Sequence, residues 1–116
     1  MMAMFIKSKF TGDISDWNVH EVKNMSFMFR DSEFNGDLSK WDVSNVIDML
    51  YTFNKSNFNG DISQWDVSNV KNMTGMFEGT CFNQDISGWD VSNVHHYKNI
   101  FDKCDIPEKN KPLKFR

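Results

Sequence analysis

Carboxylates recur along this chain at a fixed interval. Asp13, Asp37, Asp61 and Asp85 stand 24 residues apart, and Asn18, Asp42, Asp66 and Asp90 form a second series with the same step. Acidic side chains held in register on neighbouring segments repel one another, so something must offset the repulsion. A hard cation such as calcium could do so, although it asks for roughly six to eight oxygen ligands. Alternatively, each carboxylate can accept a hydrogen bond from its own backbone two residues on, in the manner of an Asx turn. The second reading fits both series better, because the glycine-rich calcium-binding repeat is absent.

Other reactive side chains offer little. His20, His95 and His96 are the only histidines, and adjacent residues on a helix do not share a face, so His95 and His96 make a poor metal pair. Cys81 and Cys104 show no metal-ligand spacing and read as two free, partly buried thiols. There is no Ser-His-Asp set and no phosphate loop. Catalysis needs positioned, unrepeated groups, and almost everything here is repeated. The expectation is a protein that is not an enzyme and uses no cofactor or metal.

The elements that must position these residues share the same period. Phe10, Phe34, Phe58 and Phe82 are 24 apart, as are Trp17, Trp41, Trp65 and Trp89, and Phe29, Phe53, Phe77 and Phe101. A fixed period of this size marks stacked units, none of which buries its apolar face alone. In the second unit, Trp41 and Val43 alternate as in a strand, whereas Val46, Met49 and Phe53 follow helical spacing. Ser44, Ser68 and Ser92 precede the helical positions as candidate N-caps. Asn35-Gly36 and Asn59-Gly60 are turn signals. Met25, Met49 and Met73 read as core filling.

The predicted fold is an α/β repeat solenoid with one short parallel strand and one short helix per 24-residue repeat. Residues 1–106 form a single domain: a half repeat 1–9, then repeats 10–33, 34–57, 58–81 and 82–105. Residues 107–116 form a C-terminal tail or cap. The chain begins inside a repeat and is read as a fragment of a longer protein.

The signature W-D-V-S-N-V-x-x-M-x-x-M-F, at Trp65–Phe77 and, with Thr52 in place of the second methionine, at Trp41–Phe53, resembles the mycoplasma-type, lipoprotein-associated repeats of the BspA-like leucine-rich-repeat surface proteins. The fourth unit keeps Trp89–Val94 but has Tyr97 and Ile100 for the methionines, and the first has Asn18 and His20 for Asp and Ser. The resemblance implies a leucine-rich-repeat-like fold, a bacterial cell-surface or secreted location and a non-enzymatic interaction or adhesion role. It brings no catalytic residues.

On such a fold, the positions between buried strand residues would line a concave face. Asp16, Lys40, Gln64 and Gly88 form one column, different in every unit; Asn18, Asp42, Asp66 and Asp90 form another, nearly uniform. These are the candidate partner-binding residues, for a protein or a surface glycan. Phe27, Leu50 and Tyr51 suggest an apolar patch on the outer helix face. A net charge of −3 argues against nucleic acid, and no apolar run reaches membrane-spanning length. The alternatives are a structural spacer within a longer surface protein and, below that, a cation-stabilised adhesin. Open ends should favour end-to-end self-association.

Overall fold

The apolar residues that recur every 24 positions turn inward and stack on their own equivalents. The computed structural model describes residues 1–116. Phe5, Phe29, Phe53, Phe77 and Phe101 form a column of near-parallel rings, with successive centroids 5.3, 5.5, 5.7 and 5.9 Å apart. Phe34, Phe58 and Phe82 run beside it, and the Phe53–Phe58 and Phe77–Phe82 centroids are only 4.4 and 4.3 Å apart. Offset stacking at such distances adds to what area burial alone supplies. Ile14, Leu38, Ile62 and Ile86, and Val46, Val70 and Val94, fill the space between.

Each internal tryptophan ties its unit to the one before. Trp41 Nε1 donates to Ile14 O, Trp65 Nε1 to Leu38 O and Trp89 Nε1 to Ile62 O, at 3.0, 2.9 and 3.0 Å. A buried indole N–H left without an acceptor would cost stability, so the apolar column and the polar bond set the same register. Trp17 has no such bond, and it is 41% exposed against 3–5% for the other three.

The α/β solenoid is not what forms. The only helical segments are two 3-10 turns in the tail, Glu108–Asn110 and Leu113–Phe115. In place of strands there are isolated parallel bridges, Asn24 to Asp48, Asp48 to Asn72 and Asn72 to His96. No repeat holds one strand plus one helix, and the leucine-rich-repeat architecture fails with it.

The segment expected to be helical is a staircase of turns. Met25, Phe27, Phe29 and Asp31 send their N–H groups forward to Asp48, Leu50, Thr52 and Asn54 O in the next unit. Met28, Arg30 and Ser32, between them, donate back three residues to Met25, Phe27 and Phe29 O. A helix would need both sets within the segment, and half are spent on the neighbour. Phe27 and Asp31 lie at φ 60° and 56°, the left-handed region that a type II turn requires at its third residue and that a helix interior does not tolerate. The same two positions are left-handed in every unit, at Tyr51 and Lys55, Gly75 and Gly79, Asn99 and Lys103. Turns that step by threes and fours return side chains to one face, which is why the spacing imitates a helix.

The strand expected at Trp41–Val43 is a joint between turns. Trp41 N–H closes one turn on Leu38 O, and Val43 O accepts from Val46 N–H to close the next. Ser44, Ser68 and Ser92 cap no helix; their hydroxyls donate to Asp42, Asp66 and Asp90 Oδ1. The tail folds across the last unit: Phe115 packs on Tyr97 and Phe101, and Lys114 Nζ donates to Val91 and Val94 O.

Candidate functional site

The expected concave columns lie on turns rather than strands. Asp16, Lys40, Gln64 and Gly88 each occupy the third position of a four-residue turn, closed at 3.1 Å by the tryptophan N–H that follows. All four are exposed. A Cβ on Gly88 would meet nothing within 4 Å. Packing therefore leaves this column free, and it carries an acid, a base, an amide and a glycine in successive units.

The second column is less free. Asn18, Asp42, Asp66 and Asp90 are exposed, but each Oδ1 accepts from the backbone N–H two residues on. The first acidic series does the same, Asp13, Asp37, Asp61 and Asp85 accepting from Ser15, Ser39, Ser63 and Ser87 N–H at 2.8–2.9 Å. The Asx reading accounts for both series. Hydroxyl bonds from Ser44 and Ser92, then backbone N–H bonds, hold Asp42 and Asp90 below the ordinary carboxylate pKa. Ser15, Ser39 and Ser87 act likewise on Asp13, Asp37 and Asp85, while for Asp61 the backbone bond of Ser63 leads. No three His, Cys, Asp or Glu side chains gather closely enough to hold a metal ion.

A further feature escaped the sequence reading. Lys23, Asn45, Ile47, Asn69 and Lys71 line a shallow groove of about 280 Å³. Ile47 N–H donates to Lys23 O and Lys71 N–H to Ile47 O, both at 2.8 Å, which sets the three residues in one column. Asn45 and Asn69 reach back with Nδ2 to His20 and Ser44 O. Neither lysine is in an ion pair, and Ile47 is exposed. The groove thus sets an apolar centre between two cations. The interval Lys23, Ile47, Lys71 was visible, but as helix positions these residues had no reason to form a surface.

Phe27, Leu50 and Tyr51 are half-buried. The Phe27 and Tyr51 rings meet at 5.5 Å, and the Arg30 guanidinium lies over both, at 5.8 and 5.6 Å. Cys81 and Cys104 are free thiols. Cys104 Sγ donates to Phe82 O and accepts from Thr80 Oγ1, whereas Cys81 is exposed. No helix is long and apolar enough to cross a membrane.

Residues 1–113 match the family described as Mycoplasma protein of unknown function, DUF285, and the chain belongs to that family. No curated protein and no solved structure matches the chain.

Proposed function

For this member of a family whose role is not established, we propose a non-enzymatic interaction module that binds a protein or a surface glycan. The contact surface is the turn-tip column Asp16, Lys40, Gln64 and Gly88, flanked by Asn18, Asp42, Asp66 and Asp90. One observation carries the reading: the turn-tip position is exposed in every unit, with open space around Gly88, yet its residue differs in each. Neighbouring positions are held nearly constant by stacking and by Asx bonds. The finer affiliation, to BspA-like surface proteins and their cell-surface or secreted location, belongs to this proposal and rests on the W-D-V-S-N-V signature.

The test compares binding of the chain to host-type cells and matrix proteins with binding by a Lys40→Glu/Gln64→Lys variant. Both substitutions are on solvent-facing turn tips, so equal melting temperatures are expected. The variant should lose binding at least tenfold. Undiminished binding by an equally stable variant would remove the column from the interface. A structural spacer is the second reading, favoured by the uninterrupted forward hydrogen bonds from unit to unit.

A further inference from the structure

We propose that the groove built on Lys23, Ile47 and Lys71 binds a linear acidic glycan, one that carries a carboxylate on every second sugar. It is a second surface, separate from the turn tips, and the backbone sets its spacing. Ile47 N–H donates to Lys23 O, Lys71 N–H to Ile47 O and His95 N–H to Lys71 O, at 2.8, 2.8 and 2.9 Å. Parallel bridges join the residues next to them, Asn24 to Asp48, Asp48 to Asn72 and Asn72 to His96. Segments paired in this way step by about 4.8 Å, which puts Lys23 and Lys71 about 10 Å apart at the backbone with Ile47 midway.

All three residues are exposed, and neither lysine is in an ion pair. The acids nearest in sequence do not neutralise them: Asp48 turns its Oδ1 to Leu50 N–H, and Glu21 pairs with no cation. On a chain of net charge −3, two unpaired cations make a local reversal of sign that draws an anionic ligand. Asn45 and Asn69 flank them. Each spends its Nδ2 on a carbonyl of the previous unit, at 2.6 and 2.8 Å, and its Oδ1 accepts nothing. The groove thus asks for two anions, an apolar surface between them and hydrogen-bond donors alongside.

Spacing and donors select the occupant. An extended peptide repeats the side chains of one face every ~6.7 Å, which matches neither one step nor two. A helix advances about 5.4 Å per turn, but its N–H groups are spent internally and leave both Oδ1 atoms without donors. Its cylinder of roughly 10–12 Å also meets only a shallow groove. A pyranose ring spans about one step of the column. A glycan lying along it therefore sets alternate carboxylates at Lys23 and Lys71 and rests the C–H face of the sugar between them on Ile47. Its hydroxyls donate to Asn45 and Asn69 Oδ1. His95 continues the column by one step, beside the next uncharged sugar. The ion pairs form in the open, so salt weakens them.

Titration of the full chain with a hyaluronan oligosaccharide, which has a uronate on every second sugar and no sulfate, tests the inference. A neutral chitooligosaccharide and polyglutamate are run beside it. Hyaluronan should bind, less tightly as salt rises, while the neutral glycan should not bind and polyglutamate should bind more weakly. Lys23→Gln/Lys71→Gln should weaken hyaluronan binding roughly tenfold, the effect of losing two exposed ion pairs. Ile47→Ser should weaken it about threefold with the salt dependence unchanged. Glu21→Gln, which removes an unpaired acid beside the groove, should strengthen it. All four positions face solvent, so these variants should melt with the parent. The turn-tip variant Lys40→Glu/Gln64→Lys should bind as the parent does, which separates this groove from the other surface. No binding of hyaluronan by the parent, or binding that the lysine variant retains, would overturn the inference. So would polyglutamate bound as tightly through the same lysines, the mark of an acidic protein segment.

Discussion

Trp65 shows how closely this chain couples apolar and polar demands at single positions. Its ring is buried, stacked against Trp89 at 6.5 Å, and its Nε1 donates to Leu38 O. Trp65→Ala removes the ring and one of the two donors to Leu38 O, which keeps only the Trp41 N–H, so we predict a loss of ~3–5 kcal/mol in urea unfolding, most of it from the lost ring. Trp17→Ala, at a half-open position with no indole bond, should cost about 1 kcal/mol. Equal costs would mean that the indole bonds and the burial of the internal rings contribute nothing. The aspartates give a second residue-scale prediction. Asp13, Asp37, Asp42, Asp61, Asp85 and Asp90 are all held below their ordinary pKa by serine bonds made only in the fold. Such groups add stability that is fully present above the unfolded carboxylate pKa, near 4, and lost as pH falls through the lower folded values. Melting temperature should therefore drop on acidification below about pH 4. Asp37→Asn/Asp85→Asn, which keeps the Asx oxygen without the charge, should shallow that drop; an unchanged slope would show that these bonds do not favour the ionised form. The local bonding of these carboxylates was legible from their recurrence beside turn signals. The role of Ser44 was not, because an N-cap and an Asx-turn hydroxyl use the same residue at the same place.

The staircase is where reading by elements went astray. Val46, Met49 and Phe53 satisfy the helical spacing, and no proline or glycine interrupts them. The structure instead places Tyr51 and Lys55 at φ 53° and 56°, a conformation that an L-residue adopts only when the rest of the structure enforces it. The enforcing contact is the next unit, whose carbonyls take every second N–H, and no single unit displays that demand. Gly75 and Gly79, at the equivalent positions of the third unit, were the one compositional hint. Gly75 also matters sterically, since the Tyr51 ring lies where its Cβ would be. Gly75→Ala should cost roughly 2 kcal/mol, from the left-handed φ together with the clash. In a double-mutant cycle, Tyr51→Ala should recover the steric part. Strict additivity of the two changes would mean that the ring does not hold this site.

Across the whole molecule, what could be read was the repetition, and what could not was the element made from it. The 24-residue interval, the buried phenylalanine and tryptophan columns and the exposure of the turn-tip column all followed from the sequence, because they depend only on equivalent residues stacking. The turn staircase and the Lys23–Ile47–Lys71 groove depend on which backbone groups face the neighbouring unit, and the side-chain pattern does not carry that information. The molecule measures 33 × 28 × 20 Å, and stacking presents one copy of each surface position per unit on it. A surface built this way varies only where stacking permits, and the turn tips are such a place. The most direct measurement is binding to host-type cells by the parent chain and by Lys40→Glu/Gln64→Lys, run beside their melting curves. The expected result is coincident melts with binding confined to the parent. Coincident melts with equal binding would contradict an interface on the turn tips.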